Sequence, residues 1–174
     1  MKASDFELTD PALTAYIADC EKRLRFPEFN AEIAYRLGEF LRARFVRLHD
    51  PSQALYIQIR SFPARPGCPF VLFAAVAGNP DRLGAGIAYQ IEGKARVVEH
   101  HGGSTYGAKA FAAMMGWPTE KMGLFQQEHV VNGGGFPIRL TNCSTPVGAL
   151  VVSGLPDVQD HQFIVDSLEE FLKE

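Results

Sequence analysis

Two segments with strand character follow one another with no helix between them, and this restricts the fold more than any other feature of the chain. Leu55-Tyr56-Ile57-Gln58-Ile59-Arg60 is rich in β-formers and alternates Gln58 and Arg60 against Ile57 and Ile59. Phe70-Val71-Leu72-Phe73-Ala74-Ala75-Val76 is apolar on both faces, the pattern of a central strand covered from both sides. Ser61 to Pro69 holds three prolines and a glycine and reads as a connecting loop. An antiparallel hairpin is predicted.

Helical periodicity brackets this pair. The strongest helix is predicted from about Pro27 to Leu48, where Phe29, Ile33, Leu37, Phe40, Leu41, Phe45 and Leu48 recur at three- and four-residue steps. Upstream, Asp10 reads as an N-cap and Pro11 as the first position of a shorter helix to about Leu24. After the hairpin, Asn79-Pro80-Asp81 opens a helical region to about Glu99, striped by Leu83, Ile87, Ile91 and Val98. Gly84, Gly86 and Gly93 each weaken that helix by about 1 kcal/mol, so the segment is either broken or packed closely on another backbone. His100-His101-Gly102-Gly103 reads as a turn, Ser104 as the cap of a helix through about Met115, and Thr119-Glu120-Lys121 as a short helical turn.

The last third changes character. Gly133-Gly134-Gly135 leads into a short strand, Phe136 to Leu140, and Val147 to Ser153 forms a second, buried strand. Gly154-Leu155-Pro156-Asp157 turns into a final helix with Ile164, Val165, Leu168, Phe171 and Leu172 on one face. The order is helices, two strands, helices, two or more strands, helix. It predicts an α+β fold, an antiparallel sheet with helices on its faces, and not alternating βαβ units. At 174 residues, 47% of them apolar, the chain suits one domain over 1–174, with 1–26 as a helical extension.

Several function classes are disfavoured at this stage. The net charge is −3 with no block of like charge, so neither nucleic acid nor an anionic membrane is an expected partner. The longest apolar run, Pro69 to Ala77, falls well short of the ~20 residues a membrane span needs. Cys20, Cys68 and Cys143 are odd in number, widely spaced and without a C-x-x-C pair, which predicts free thiols. Together with an opening Met1–Glu7 that lacks a signal-peptide core, this predicts a cytoplasmic protein.

The candidate chemistry is concentrated in the last third. Three consecutive glycines let backbone N–H groups approach a ligand and form an anion nest, but they equally suit a bulge or tight crossover. They precede a strand, whereas the G-x-G-x-x-G and P-loop motifs precede a helix. Ser153, Asp157, Asp160 and His161 invite a hydrolase reading, yet Val151 and Val152 occupy the positions leading into Ser153, so no G-x-S-x-G elbow exists. Asp157 as a helix cap and Asp160 in the favourable first turn are the simpler account. His49, His100, His101, His129 and His161 form no H-E-x-x-H or paired i, i+4 set, so no metal site is expected. Lys94 and Arg96 are read as reaching an anionic ligand or lying on a solvated helix face.

In combination these segments resemble the haem-degrading-domain family, in its GlcG-like branch of small stand-alone proteins, alongside HbpS and the C-terminal domain of PduO. The resemblance is carried by Asn132-Gly133-Gly134-Gly135-Phe136-Pro137-Ile138-Arg139, Val147-Gly148, Val151 to Pro156 and Asp160-His161. Leu37-Gly38, Tyr56 to Arg60 and Gly78 to Asp81 extend it over most of the chain after Phe26. It implies a profilin-like three-layer α/β/α fold with a five-stranded antiparallel sheet, and homo-oligomers built from dimers. Haem or another tetrapyrrole is the cofactor it implies. Asn132 stands where relatives commonly carry a histidine, so no ligand to iron is expected from that position.

Three functions are carried forward. The first is a small-ligand-binding protein, with Lys94, Asn132, Gly133, Gly134, Gly135, Phe136 and Ser153 around an anionic or tetrapyrrole ligand at a subunit interface. The second is an enzyme acting on haem or a small carboxylate, with His161 as acid–base group. The third is an interaction module without chemistry. An open polar pocket beside the glycines separates the first from the third.

Overall fold

The structure, a computed structural model, describes residues 1–62 and 70–173. A short 3₁₀ turn, Ala3–Asp5, leads to α1 (Pro11–Arg23) and α2 (Ala31–Leu48). The hairpin strands β1 (Ala54–Ser61) and β2 (Phe70–Gly78) follow, then α3 (Ile87–His101) and α4 (Thr105–Met115). The chain closes with β3 (Gly135–Ile138), β4 (Gly148–Ser153) and α5 (Asp157–Phe171). Further 3₁₀ turns occupy Pro80–Arg82 and Thr119–Met122.

The described strands form one sheet of order β2-β1-β4-β3 with antiparallel neighbours throughout. The expected five strands are therefore four among the described residues. The hairpin pairs as expected, but β2 lies at the edge instead of the centre. Its apolar content misled because only one face is used: Phe73 and Ala77 enter the core, while Phe70 and Val71 stay 66% and 50% exposed. Most of the predicted connecting loop, and Cys68 with it, falls in 63–69, outside the described residues.

Two helical layers sandwich the sheet. On one face α2 and α5 set Leu37, Leu41, Phe45, Ile164 and Leu168 against Leu55, Ile57, Ile59, Leu150 and Val152. Full burial of such side chains stabilises by about 2 kcal/mol each. On the other face α3 lays Ile91, Ala95 and Val98 on Ala149 and Val151. The alternation of β1 thus has a structural meaning: Ile57 and Ile59 face α2, while Tyr56, Gln58 and Arg60 face the side of α3.

Local chemistry sets the helix limits. Asp10 accepts from Ala12 N at 2.8 Å and starts α1 as predicted. α2 begins at Ala31, four residues later than the predicted start at about Pro27, because Phe26 is held extended in a bridge to Leu140 and Asn30 supplies the cap to Ile33 N. The same bridge captures Leu140, so β3 ends at Ile138. The glycine-weakened helix is both broken and tightly packed. It starts only after Gly86, and a Cβ on Gly93 would lie 2.5 Å from Val130. The predicted turn at His100-His101 is the last turn of α3, and Gly102 caps it.

Candidate functional site

The glycine run is a close-packed junction. Gly133, Gly134 and Gly135 are all buried. A Cβ on Gly133 would stand 2.1 Å from Asp157 O, one on Gly134 2.4 Å from Val152 O, and one on Gly135 2.5 Å from Thr105 Cγ2. Gly134 also takes φ +109°, a backbone region that side chains strongly disfavour. The space a ligand would need beside these residues is filled by protein.

Lys94 is the centre of that junction. It is neither on a solvated face nor open to an anion, since its side chain is 2% exposed. Its Nζ donates to Val152 O at 3.0 Å, Ser153 Oγ at 3.1 Å and Asp160 Oδ2 at 3.1 Å, which uses all three ammonium protons. Asp160 Oδ1 accepts from Leu155 N at 3.0 Å. Burial pushes the Asp160 carboxyl up to about 6, against the opposing pull of Lys94 and the amides. Asp157 is not the helix cap expected for α5. Pro156 holds the cap position, and the Asp157 carboxylate instead pairs with Lys109 and accepts from Gly133 N.

Phe136 and His161 are fully buried side by side, their ring centroids 6.1 Å apart, with Tyr106 5.3 Å from His161 on another side. Neither ring nitrogen of His161 has a hydrogen-bond partner among the described residues, and burial depresses its pKa to about 4 against a weaker opposing effect of Asp157. His161 therefore faces no open pocket. Asn132 is exposed at the entry to the glycine run, and Arg96 is exposed and paired with Glu92.

The depressed pKa makes a measurable statement. Between the ordinary 6.5 and about 4 the unfolded chain binds a proton that folded His161 refuses, so the histidine's contribution falls as pH drops through that window. Asp160 acts in reverse between its ordinary 3.8 and about 6. The histidine effect is isolated by His161→Leu. From pH 7 to pH 5 the wild type is expected to lose about 2 kcal/mol relative to that variant in urea unfolding. Parallel pH profiles would show that the ring is not desolvated.

An open cleft with largely apolar walls lies next to this junction, on the α3 side of the sheet. It holds about 220 Å³ and is lined by Tyr56, Gln58 and Arg60 of β1 and by Ile87, Ala88, Ile91 and Glu92 of α3. The Arg60 side chain is 4% exposed, whereas Glu92 is 45% exposed. Arg60 Nε donates to Gln58 Oε1 at 2.9 Å, and Nη2 donates to Glu92 Oε2 at 3.0 Å. Glu92 also accepts from Arg96 at 3.3 Å. Burial raises the Glu92 carboxyl, but the two arginines outweigh it and hold the group below its usual range. The cleft is thus a buried guanidinium whose only carboxylate partner among the described residues is half in water and has a second arginine to retreat to.

The Lys94 junction fixes this cleft. Ile91 and Glu92 line it, Lys94 follows two positions after Glu92 on α3, and Ser153 pairs across the sheet with Tyr56. Arg60 and Glu92 are not among the site residues expected from sequence, and Asp160 is read there as a first-turn acid of the last helix and not as the partner of Lys94. Asp160 lies 66 positions from Lys94, with no local pattern linking them. A signal for Arg60 is present: two polar residues alternate on one face of a strand, which means a solvent face or a built site.

Comparison with known proteins now places the chain. The model of the haem-degrading HbpS-like proteins matches residues 29–169, and the chain belongs to that family. It is 33% identical over 162 residues to a UPF0303 protein of Streptomyces coelicolor, covering 92% of this chain and 94% of that one. It is 35% identical over 155 residues to a UPF0303 protein of Burkholderia mallei, covering 87% and 85%. Among solved structures it resembles the Ybr137w protein, with a TM-score of 0.79 at 24% identity, covering 92% and 88% of the two chains. It also resembles HbpS, with a TM-score of 0.57 at 17% identity, covering 85% and 92%. At those identities the structures share a fold with this chain.

Proposed function

We propose that this chain binds a small organic anion in the Arg60 cleft. The ligand carboxylate replaces Glu92 on the guanidinium, and its apolar body rests on Tyr56, Ile87 and Ile91. The observation that carries the reading is a nearly buried arginine at the floor of an open cleft with apolar walls. A guanidinium binds a carboxylate through two parallel hydrogen bonds, more strongly where water is excluded. Displacement is inexpensive because Glu92 keeps Arg96. In this reading Lys94, Gly133, Gly134, Gly135, Phe136 and Ser153 position α3 and β4 and do not touch the ligand.

Haem is the group the family name suggests. The cleft offers Arg60 for a propionate and Tyr56 as a residue of axial-ligand type, but about 220 Å³ lies below the roughly 300–1,000 Å³ that encloses drug-sized ligands. The residues therefore fit a carboxylate arm and do not fit an enclosed tetrapyrrole. A larger ligand requires a second surface. The exposed Tyr35, Phe70 and Val71 beside the edge strand support a homo-oligomer in which a second copy provides one.

The test titrates the protein with benzoate, hexanoate and haem, followed by calorimetry and, for haem, absorbance. Arg60→Met is expected to weaken carboxylate binding by on the order of tenfold or more, corresponding to about 1.4 kcal/mol, with a circular dichroism spectrum like that of the wild type. Equal binding by wild type and variant would sink the assignment. An absorbance change with haem that survives Arg60→Met would place a tetrapyrrole elsewhere.

A further inference from the structure

A second cleft takes no part in the reading above. It holds about 310 Å³, is open to solvent, and lies between the N-terminal turn, the end of α2 and the first half of α5. Leu48, Val158 and Phe163 give it an apolar lining, and Arg44, Lys2 and His49 supply polar groups together with one carboxylate, Asp166.

The N-terminal wall is anchored. Ala3 is fully buried, and its N–H donates to Gln162 Oε1 at 2.8 Å. Phe6 packs on Tyr16 with ring centroids 5.9 Å apart. These residues precede the stretch that matches the family, which starts at residue 29. The cleft is therefore built partly from a segment that the family match does not describe.

Its polar groups are incompletely used. The Arg44 side chain is 13% exposed and its Nη1 pairs with Glu170, while its Nε is buried without a partner among the described residues. An unsatisfied buried donor of this kind is costly. It lies out of reach of solvent, so an occupant meets the outer part of the guanidinium, which Glu170 now holds. Lys2 Nζ is 4.0 Å from Asp166, too far for a hydrogen bond, and its side chain is 61% exposed. His49 stacks on Phe45 at 4.3 Å and directs Nδ1 to Phe45 O at 3.2 Å, leaving Nε2 as the ring atom without a partner among the described residues. Two cations over an apolar lining match an anionic head on a short apolar body that competes with Asp166 and Glu170 for them. With Nδ1 donating to Phe45 O, His49 Nε2 is an acceptor and takes no part in holding that head.

We infer that this cleft is a second ligand site, for a small monocarboxylate with an aliphatic or aromatic body. The carboxylate is taken by Arg44 and Lys2, and the body packs on Leu48, Val158 and Phe163. The cleft volume stands at the lower end of the range for small-molecule pockets, which limits the ligand to a compact one.

The experiment is a titration of the full chain with hexanoate, followed by the backbone amide resonances, with hexanol as the uncharged comparison. Saturable shifts are expected at Leu48, Val158 and Gln162. Arg44→Gln is expected to weaken them by on the order of tenfold. Leu48→Glu introduces a like charge at a position already 55% exposed, so it leaves the fold intact and is expected to abolish them. Arg60→Met is expected to leave them unchanged, which separates this site from the sheet cleft. Absence of saturable shifts at these amides overturns the proposal, as does survival of the shifts in both cleft variants. Hexanol binding as tightly as hexanoate overturns the assignment to a carboxylate.

Discussion

Lys94→Met is expected to lower the unfolding free energy by about 3–5 kcal/mol, seen as a lower urea midpoint at unchanged denaturant slope. The magnitude follows from what is left behind. Asp160 is 3% exposed and would keep its charge or its proton without its cation, while Val152 O and Ser153 Oγ each lose a donor. Breaking one side of a buried pair costs far more than the net contribution of the pair, because the surviving charge has no water to return to. The double variant Lys94→Met/Asp160→Asn is expected to lose less than the sum of the single changes. Asparagine removes the orphaned charge and still accepts from Leu155 N, the bond Asp160 makes at 3.0 Å. A single-variant loss under about 1 kcal/mol would mean that the pair is solvated in the folded protein. The effect reaches the proposed site, since Lys94 ties α3 to β4 beside the residues that line the Arg60 cleft.

Gly134→Ala is expected to cost about 3 kcal/mol, from two independent sources. The backbone sits at φ +109°, where a side chain is strained by roughly 1–2 kcal/mol. The added Cβ would also lie 2.4 Å from Val152 O and 3.0 Å from Lys94 Nζ, an overpacking that typically costs 1–3 kcal/mol. Neither neighbour yields easily. Val152 sits in the central β4 strand and bonds Gly134 O through its own N–H at 2.7 Å, and Lys94 is held by three acceptors. A thermal midpoint within a few degrees of wild type would contradict this packing. Gly84→Ala, where a Cβ meets nothing within 4 Å, is the matched control.

How far the residues alone reached depends on the range of the interactions involved. The Asp10 and Ser104 caps, the stripe of α2 and the β1–β2 hairpin were legible because capping and periodicity act within a few positions of the chain. The glycine run was legible as a place of close approach, but not as an interior one, because its neighbours Asp157, Val152 and Thr105 come from three other elements. Lys94 was misplaced for the same reason. A lysine between apolar helix positions reads as solvated unless its partner is known, and Asp160 lies on a different helix. The edge position of β2 was hidden because an apolar strand looks alike whether its second face meets a helix or solvent.

By itself the sequence determined the antiparallel α+β character, most element positions and the family, since periodicity, turn chemistry and linear motifs are properties of adjacent residues. Only the tertiary structure decided that Lys94, Ser153 and Asp160 form a closed ionic junction, that His161 is sealed between aromatic rings, and that Arg60 floors an open cleft. Those outcomes depend on desolvation. Whether a charged group is buried with a partner, buried without one or left facing water is settled by which elements pack together, and burial rather than residue type sets its chemistry.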